Sequence, residues 1–265
     1  PVFMYFGFGS NMQISSLRAK GVEPHRSEQA ALRGWRLRFN VQHFFRHEGG
    51  VGNVEPSDDP NDVVLGVVHL CEEAHLPSLD GAEAFGHGYD RRQVVVHTAS
   101  GPVEAVTYVG MSSFINDACL PAARYLNILV AGAKNAGIDP DYVARLRDHP
   151  VHQKKPYPPF VHPPGDWPVI DARALAEKPL WTALDGGVFD MSGARPQHEF
   201  LKGYFGGRDM TLFHLKRMDT TDGKECWEDI LAGRLSPGQR AYLDEYLHEY
   251  SSEYVYVARC HGGPA

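Results

Sequence analysis

Residues 5–12 read Tyr5-Phe6-Gly7-Phe8-Gly9-Ser10-Asn11-Met12 and overlap the end of an apolar, aromatic run, Val2–Gly7 (VFMYFG). A short apolar run ending in glycines predicts a buried strand that closes in a tight turn. Glycines let a backbone come close to a ligand, and successive peptide N–H groups in such a turn can form an anion-binding nest. By composition alone a plain tight turn is the simpler reading. The segment lacks the lysine of a phosphate-binding loop and the third glycine of a dinucleotide fingerprint.

Further strands are expected at residues 35–41, 63–70, 93–97 and 103–109, each rich in β-branched or aromatic residues. Few helical stretches separate them, which favours a curved sheet or barrel over a doubly wound parallel sheet. A helix is expected over residues 121–137, with Tyr125, Leu129 and Ala133 on one stripe and Gly137 to end it, and a shorter one near 141–147. From His149 to Pro168 the proline density forbids a regular ladder and predicts an extended linker. The expected division is a domain over 1–155, a linker over 156–166 and a second domain over 167–265. In the last part Ser236, Pro237 and Gln239 form a helix start with a capping box, and Val255 and Val257 suggest a closing strand.

The 265 residues carry a formal net charge of -7, which argues against nucleic acid as a partner. No apolar run approaches the ~20 residues of a membrane span, and no basic region precedes the apolar N-terminus as in a secretory signal. Cys71, Cys119, Cys226 and Cys260 are far apart and form no CxxC pair, so reduced thiols and a cytoplasmic setting are expected. The histidine pairs His43/His47 and His149/His152, with His162, place no third ligand at a recognised spacing, and no metal is expected. The oligomeric state is not legible.

YFGFGSNM closely resembles the opening of the γ-glutamylcyclotransferases (AIG2-like proteins). Similar motifs follow in the family's order at Gly34-Trp35-Arg36-Leu37-Arg38-Phe39, Gly52-Asn53-Val54-Glu55-Pro56, Leu65-Gly66-Val67-Val68 and Leu79-Asp80-Gly81-Ala82-Glu83. Tyr89, Tyr125 and Gly132-Ala133 complete the resemblance, which spans about residues 2 to 147. It implies an α+β fold, a small mixed β-barrel with flanking helices. It also implies that Tyr5, Gly7, Phe8, Gly9, Ser10, Asn11 and Met12 form a loop for the glutamyl end of a small γ-glutamyl substrate, with Tyr125 a further contact. Phe8 and Ala84 depart from the family, where Tyr and Gly are frequent.

Asp80 and Glu83 lie three apart beside glycines, a spacing that by itself fits a solvated pair of charges. The resemblance makes Glu83 the candidate general acid/base and leaves Asp80 to structure. The reaction implied is release of an amine and 5-oxoproline by attack of the substrate's own α-amino group on its γ-carbonyl. That amine is protonated at neutral pH, so a carboxylate must take a proton before attack and can return it to the leaving amine. No cofactor is expected for this step. The amine released stays open among glutathione's dipeptide, an amino acid, lysine and a natural-product intermediate.

Residues 167–260 resemble a cytochrome b5-like domain of the membrane-associated progesterone receptor branch, through Trp181–Asp190, Phe205-Gly206-Gly207-Arg208-Asp209 and Leu235–Arg259. That implies a smaller α+β domain. Tyr204 stands where cytochrome b5 has its heme-ligating histidine, so heme is not the expected cofactor. Two other readings stay open at this point: a non-catalytic γ-glutamyl or amino-acid binder, and a heme or sterol carrier working through the C-terminal domain.

Overall fold

Strand β5 (Val63–Glu72) is nearly all apolar and buried on both faces, so it must be covered twice. In the computed structural model, which describes residues 1–264, that cover defines the first of two units, Pro1–Lys154. β1 (Val2–Gly7) and β2 (Arg26–Arg33) pair antiparallel with β5 on either side. β6 (Tyr89–Thr98) and β7 (Gly101–Gly110) form the longest antiparallel pair. A parallel bridge from Tyr5 to Val106 closes a five-stranded barrel in the order β1-β5-β2-β6-β7. β3 (Trp35–Gln42) and β4 (Gly50–Pro56) form a separate antiparallel pair.

Phe6, Leu32, Val64, Val68, Val94 and Val96, from β1, β2, β5 and β6, pack into one cluster. Val67 instead joins Met12, Leu126, Leu129, Ala133 and Leu146 beneath α3 (Ala123–Asn135) and α4 (Pro140–Arg147). A third cluster, with Tyr5, Leu17, Cys71, Leu79 and Tyr108, gathers α1 (Ile14–Ala19) and α2 (Leu76–Ala82) against the barrel. The expected mixed α+β barrel with flanking helices is the observed architecture of this unit.

The second unit begins at Lys155. Its sheet runs β11 (Arg208–Asp209), β9 (Trp181–Leu184), β10 (Gly187–Asp190), β12 (Val255–Cys260), β8 (Val169–Ile170). Asp185 and Gly186 join β9 to β10, both at positive φ, as a two-residue hairpin turn of the mirror-image kind requires. α9 (Pro237–Glu253) starts with the capping box of Ser236 and Gln239. It buries Tyr242, Tyr246 and Tyr250 at helical spacing. Shorter α-helices also belong to the unit: α5 (Ala172–Ala176), α6 (Glu199–Phe205), α7 (Thr211–Lys216) and α8 (Trp227–Leu231). The proline-rich stretch is extended, but it is not a free tether. His248 of α9 bonds to Pro158 O at 2.9 Å, and His162 meets the Tyr256 hydroxyl at 3.1 Å.

Two buried histidines make the first unit sensitive to acid. His69 is fully enclosed, and burial pushes its imidazole down to about 4. Burial does the same to His47, also to about 4, although Glu48 beside it pulls the other way. Both rings are neutral in the folded chain while the unfolded chain protonates them below pH 6.5. Stability is therefore full above pH 6.5 and falls as pH drops toward 4, by up to about 1.4 kcal/mol per pH unit for each ring. Urea unfolding at pH 7.5, 6.0 and 5.0 should show that decline. A flat profile over this range would contradict the burial of both rings.

Candidate active site

Glu83 caps the C-terminus of α2, its N–H bonded to Leu79 O at 2.9 Å. Leu79 is buried in the cluster that holds Tyr5. That packing brings the end of α2 beside the turn after β1. Asn11, 72 positions away in sequence, donates from Nδ2 to Glu83 Oε1 at 2.6 Å. The same nitrogen donates to the Tyr5 hydroxyl at 2.9 Å. Lys20 approaches from the end of α1, with Nζ 3.2 Å from Glu83 Oε1 and 2.5 Å from Asn11 Oδ1.

The turn is held from below by β5. A backbone carbonyl only accepts, so His69 donates from Nε2 to Asn11 O at 2.7 Å while its Nδ1 accepts from Ser27 Oγ at 2.7 Å. Within the turn Met12 N bonds to Gly9 O and Gln13 N to Ser10 O. The N–H groups of Gly9 and Ser10 have no acceptor among the described residues and are available to an anion. Gly7 lacks room for a side chain, because a Cβ there would lie 2.8 Å from Asn11 O.

A second group surrounds Gly52 of β4. Its N–H donates to the Tyr125 hydroxyl at 2.9 Å, and its carbonyl accepts from the Tyr89 hydroxyl at 2.6 Å. A Cβ on Gly52 would stand 2.7 Å from the Tyr125 hydroxyl and 3.3 Å from the Phe8 ring. One on Gly9 would stand 3.3 Å from the same hydroxyl. Tyr89 links the two groups: burial first, then the nearby Tyr125 and Glu83, push its phenol well above the ordinary range. Burial and the Glu83 charge do the same for Tyr5. Both therefore stay phenols, and the Tyr5 hydroxyl, having accepted from Asn11, keeps a proton with no acceptor among the described residues.

Of the residues expected at the site, Tyr5, Asn11 and Glu83 meet directly, and Phe8, Gly9 and Tyr125 converge on Gly52. Met12 lies in the core under α3, and the Ser10 hydroxyl makes no hydrogen bond among the described residues. Gly9 has φ -115, outside the left-handed region, and a Cβ there would press on the Tyr125 hydroxyl at 3.3 Å. Asp80 accepts from the Tyr108 hydroxyl at 2.5 Å and lies 3.5 Å from Arg91, and no hydrogen bond joins it to the turn. Gly52 and Tyr89 stand in the motifs that carry the family resemblance, yet their role at the site was not anticipated. Lys20 had no sequence signal at all. Among the described residues no group of three His, Cys, Asp or Glu side chains is placed to hold a metal.

Known proteins resemble this chain over part of its length. The AIG2-like family model matches residues 63–146, which include α2 and Glu83. A γ-glutamyl cyclotransferase of Claviceps purpurea is 27% identical over 146 residues, which cover 52% of this chain and 66% of that protein. The γ-glutamylcyclotransferase of Bos taurus is 27% identical over 148 residues, 54% of this chain and 77% of the relative. A solved structure described as a γ-glutamyl cyclotransferase superposes with a TM-score of 0.52 at 24% identity, covering 59% of this chain and 92% of the other, a likeness of fold.

Proposed function

We propose that this chain releases an amine from a γ-glutamyl amide by cyclising the glutamyl group to 5-oxoproline, with Glu83 as general acid/base. The observation that carries this reading is the hydrogen bond between Asn11 and Glu83, which places a partly buried carboxylate against the glycine-serine-asparagine turn. The free N–H groups of Gly9 and Ser10 receive the substrate's α-carboxylate. The α-ammonium then lies beside Glu83, which takes a proton and frees the nitrogen lone pair. The new C–N bond forms at the γ-carbonyl carbon and the bond to the departing nitrogen breaks. Two protons leave the α-nitrogen in all and both end on the departing amine, so the carboxylate is regenerated. The Tyr5 hydroxyl is a donor suited to the carbonyl oxygen as charge develops there.

Nucleophile and electrophile belong to one molecule, so holding them in contact replaces external activation. A mass-spectrometric screen of γ-glutamyl compounds should find 5-oxoproline release that is unchanged by EDTA. Release abolished by EDTA and restored by a divalent ion would overturn the metal-free scheme. A protein that only held the γ-glutamyl group would use the same carboxylate to pair with its ammonium, so the screen separates the two readings: a binder releases no 5-oxoproline. The four cysteines are unpaired, which suits a reducing, cytoplasmic setting.

For the second unit the cytochrome b5-like reading is a proposal that rests on its sequence motifs. Two buried histidines of this unit are already engaged by tyrosine hydroxyls, which counts against an axial ligand pair for heme. The Nε2 of His214 is engaged by the Tyr250 hydroxyl at 2.7 Å, and Nδ1 of His198 by that of Tyr254 at 2.8 Å. Tyr204 stacks on Phe200, with the Arg208 guanidinium over its ring. Heme added to the purified protein should keep the spectrum of free heme. A sharpened, shifted Soret band that is lost in Tyr204→Phe would make that tyrosine a ligand.

A further inference from the structure

Lys20 has two partners, Asn11 Oδ1 at 2.5 Å and Glu83 Oε1 at 3.2 Å. An ammonium carries donors only, so the Asn11 atom that faces it must be the amide oxygen. Glu83, which only accepts, requires the same orientation from the other side, so the two charges together fix which way the carboxamide points. The two Nδ2 hydrogens then face the Tyr5 hydroxyl and Glu83 Oε1. With the amide reversed, its NH2 group would face an ammonium and its oxygen a carboxylate, both repulsive. Ser16, whose hydroxyl also lies 3.3 Å from Oδ1, cannot impose this choice, because a hydroxyl donates or accepts equally well.

The consequence falls on Glu83. Oε1 is held by two donors, while Oε2 has no hydrogen-bond partner among the described residues. The Lys20 and Glu83 side chains are only 22% and 18% exposed, so this ion pair is sheltered compared with a solvated surface pair. We propose that Lys20 is the positioning residue of this site: it locks the Asn11 amide and Glu83 Oε1, leaving Oε2 as the oxygen that moves the proton. The assignment of Oε2 rests on the cyclotransferase reading of Glu83. The lock itself does not.

Lys20→Met keeps an unbranched stem and removes the charge. Loss of a charge-assisted hydrogen bond at the reacting group should lower kcat roughly 10- to 100-fold. KM should change by less than about threefold, since the turn's N–H groups and Tyr125 are untouched. Lys20→Arg, also a pure donor, should recover most of the loss. Side-chain NMR of 15N-labelled protein supplies a readout independent of turnover. The Asn11 carboxamide hydrogens should be slowly exchanging in the wild type and in Lys20→Arg, and fast-exchanging in Lys20→Met. Unchanged kcat or unchanged amide exchange in folded Lys20→Met would overturn the proposal, as would an equal kcat loss in Lys20→Arg. If the wild type releases no 5-oxoproline from any γ-glutamyl compound, the cyclotransferase reading fails, and amide exchange still decides whether Lys20 is the lock.

Discussion

Glu83→Gln should give a folded protein whose turnover of γ-glutamyl amides is at least about 100-fold lower, since general acid–base catalysis is typically worth ~10²–10⁴-fold. Glutamine preserves the volume of the side chain and an oxygen that can accept from Asn11 Nδ2. It removes the group that takes the α-ammonium proton and returns it to the leaving amine. The turn that holds the glutamyl end is fixed by His69 and by its own backbone bonds, neither of which involves Glu83. Substrate binding should therefore change far less than turnover, and the loss should appear in kcat. Near-normal 5-oxoproline release by folded Glu83→Gln would place the base elsewhere.

Gly52→Ala should have the second largest effect, through a single methyl group. That carbon would stand 2.7 Å from the Tyr125 hydroxyl, a separation that ordinary contacts do not reach, and 3.3 Å from the Phe8 ring. Tyr125 must then give way, and it loses its bond from the Gly52 N–H. A misplacement of about 1 Å in a substrate-positioning group can cost ~10²-fold, so kcat/KM should fall by roughly that factor. Gly81→Ala is the control. Gly81 sits in α2 two residues before Glu83, with open space around it, and it does not have positive φ. Turnover should be unchanged, with a gain in stability of about 0.4–1 kcal/mol from the stiffer unfolded chain. Equal kcat/KM for Gly52→Ala and wild type would remove Tyr125 from the substrate's surroundings.

Much of the barrel was legible because its strands follow simple rules. β1, β5 and β7 are apolar, β-branched or aromatic and bounded by glycine or polar residues, and their observed spans match the expected ones to within two residues at either end. β2 was not legible. Its sequence, RSEQAALR, is made mostly of helix formers, and pairing along its whole length with β5 overrides local preference. The same limit applies at the site. Glu83 and Asn11 stand in short motifs whose order along the chain signals the chemistry. Lys20 reaches them only because α1 folds back beside α2, a tertiary fact with no local signature. The glycines were legible as glycines but not for their reasons: Gly9 and Gly52 both make room for one tyrosine hydroxyl on a helix that begins more than 70 residues after Gly52 and over 110 after Gly9.

Cyclisation and hydrolysis of a γ-glutamyl amide release the same amine, but they differ in the fate of the γ-carbonyl. Attack by the α-nitrogen brings in no oxygen from solvent, whereas attack by water leaves one in the product. Turnover of a substrate found by the screen, carried out in ¹⁸O-labelled water and followed by mass spectrometry, separates the two. The expected result is unlabelled 5-oxoproline in equal amount to the amine, with no glutamate formed. Glutamate carrying ¹⁸O in its γ-carboxylate, in equal amount to the amine, would contradict intramolecular attack and with it the role given to Glu83.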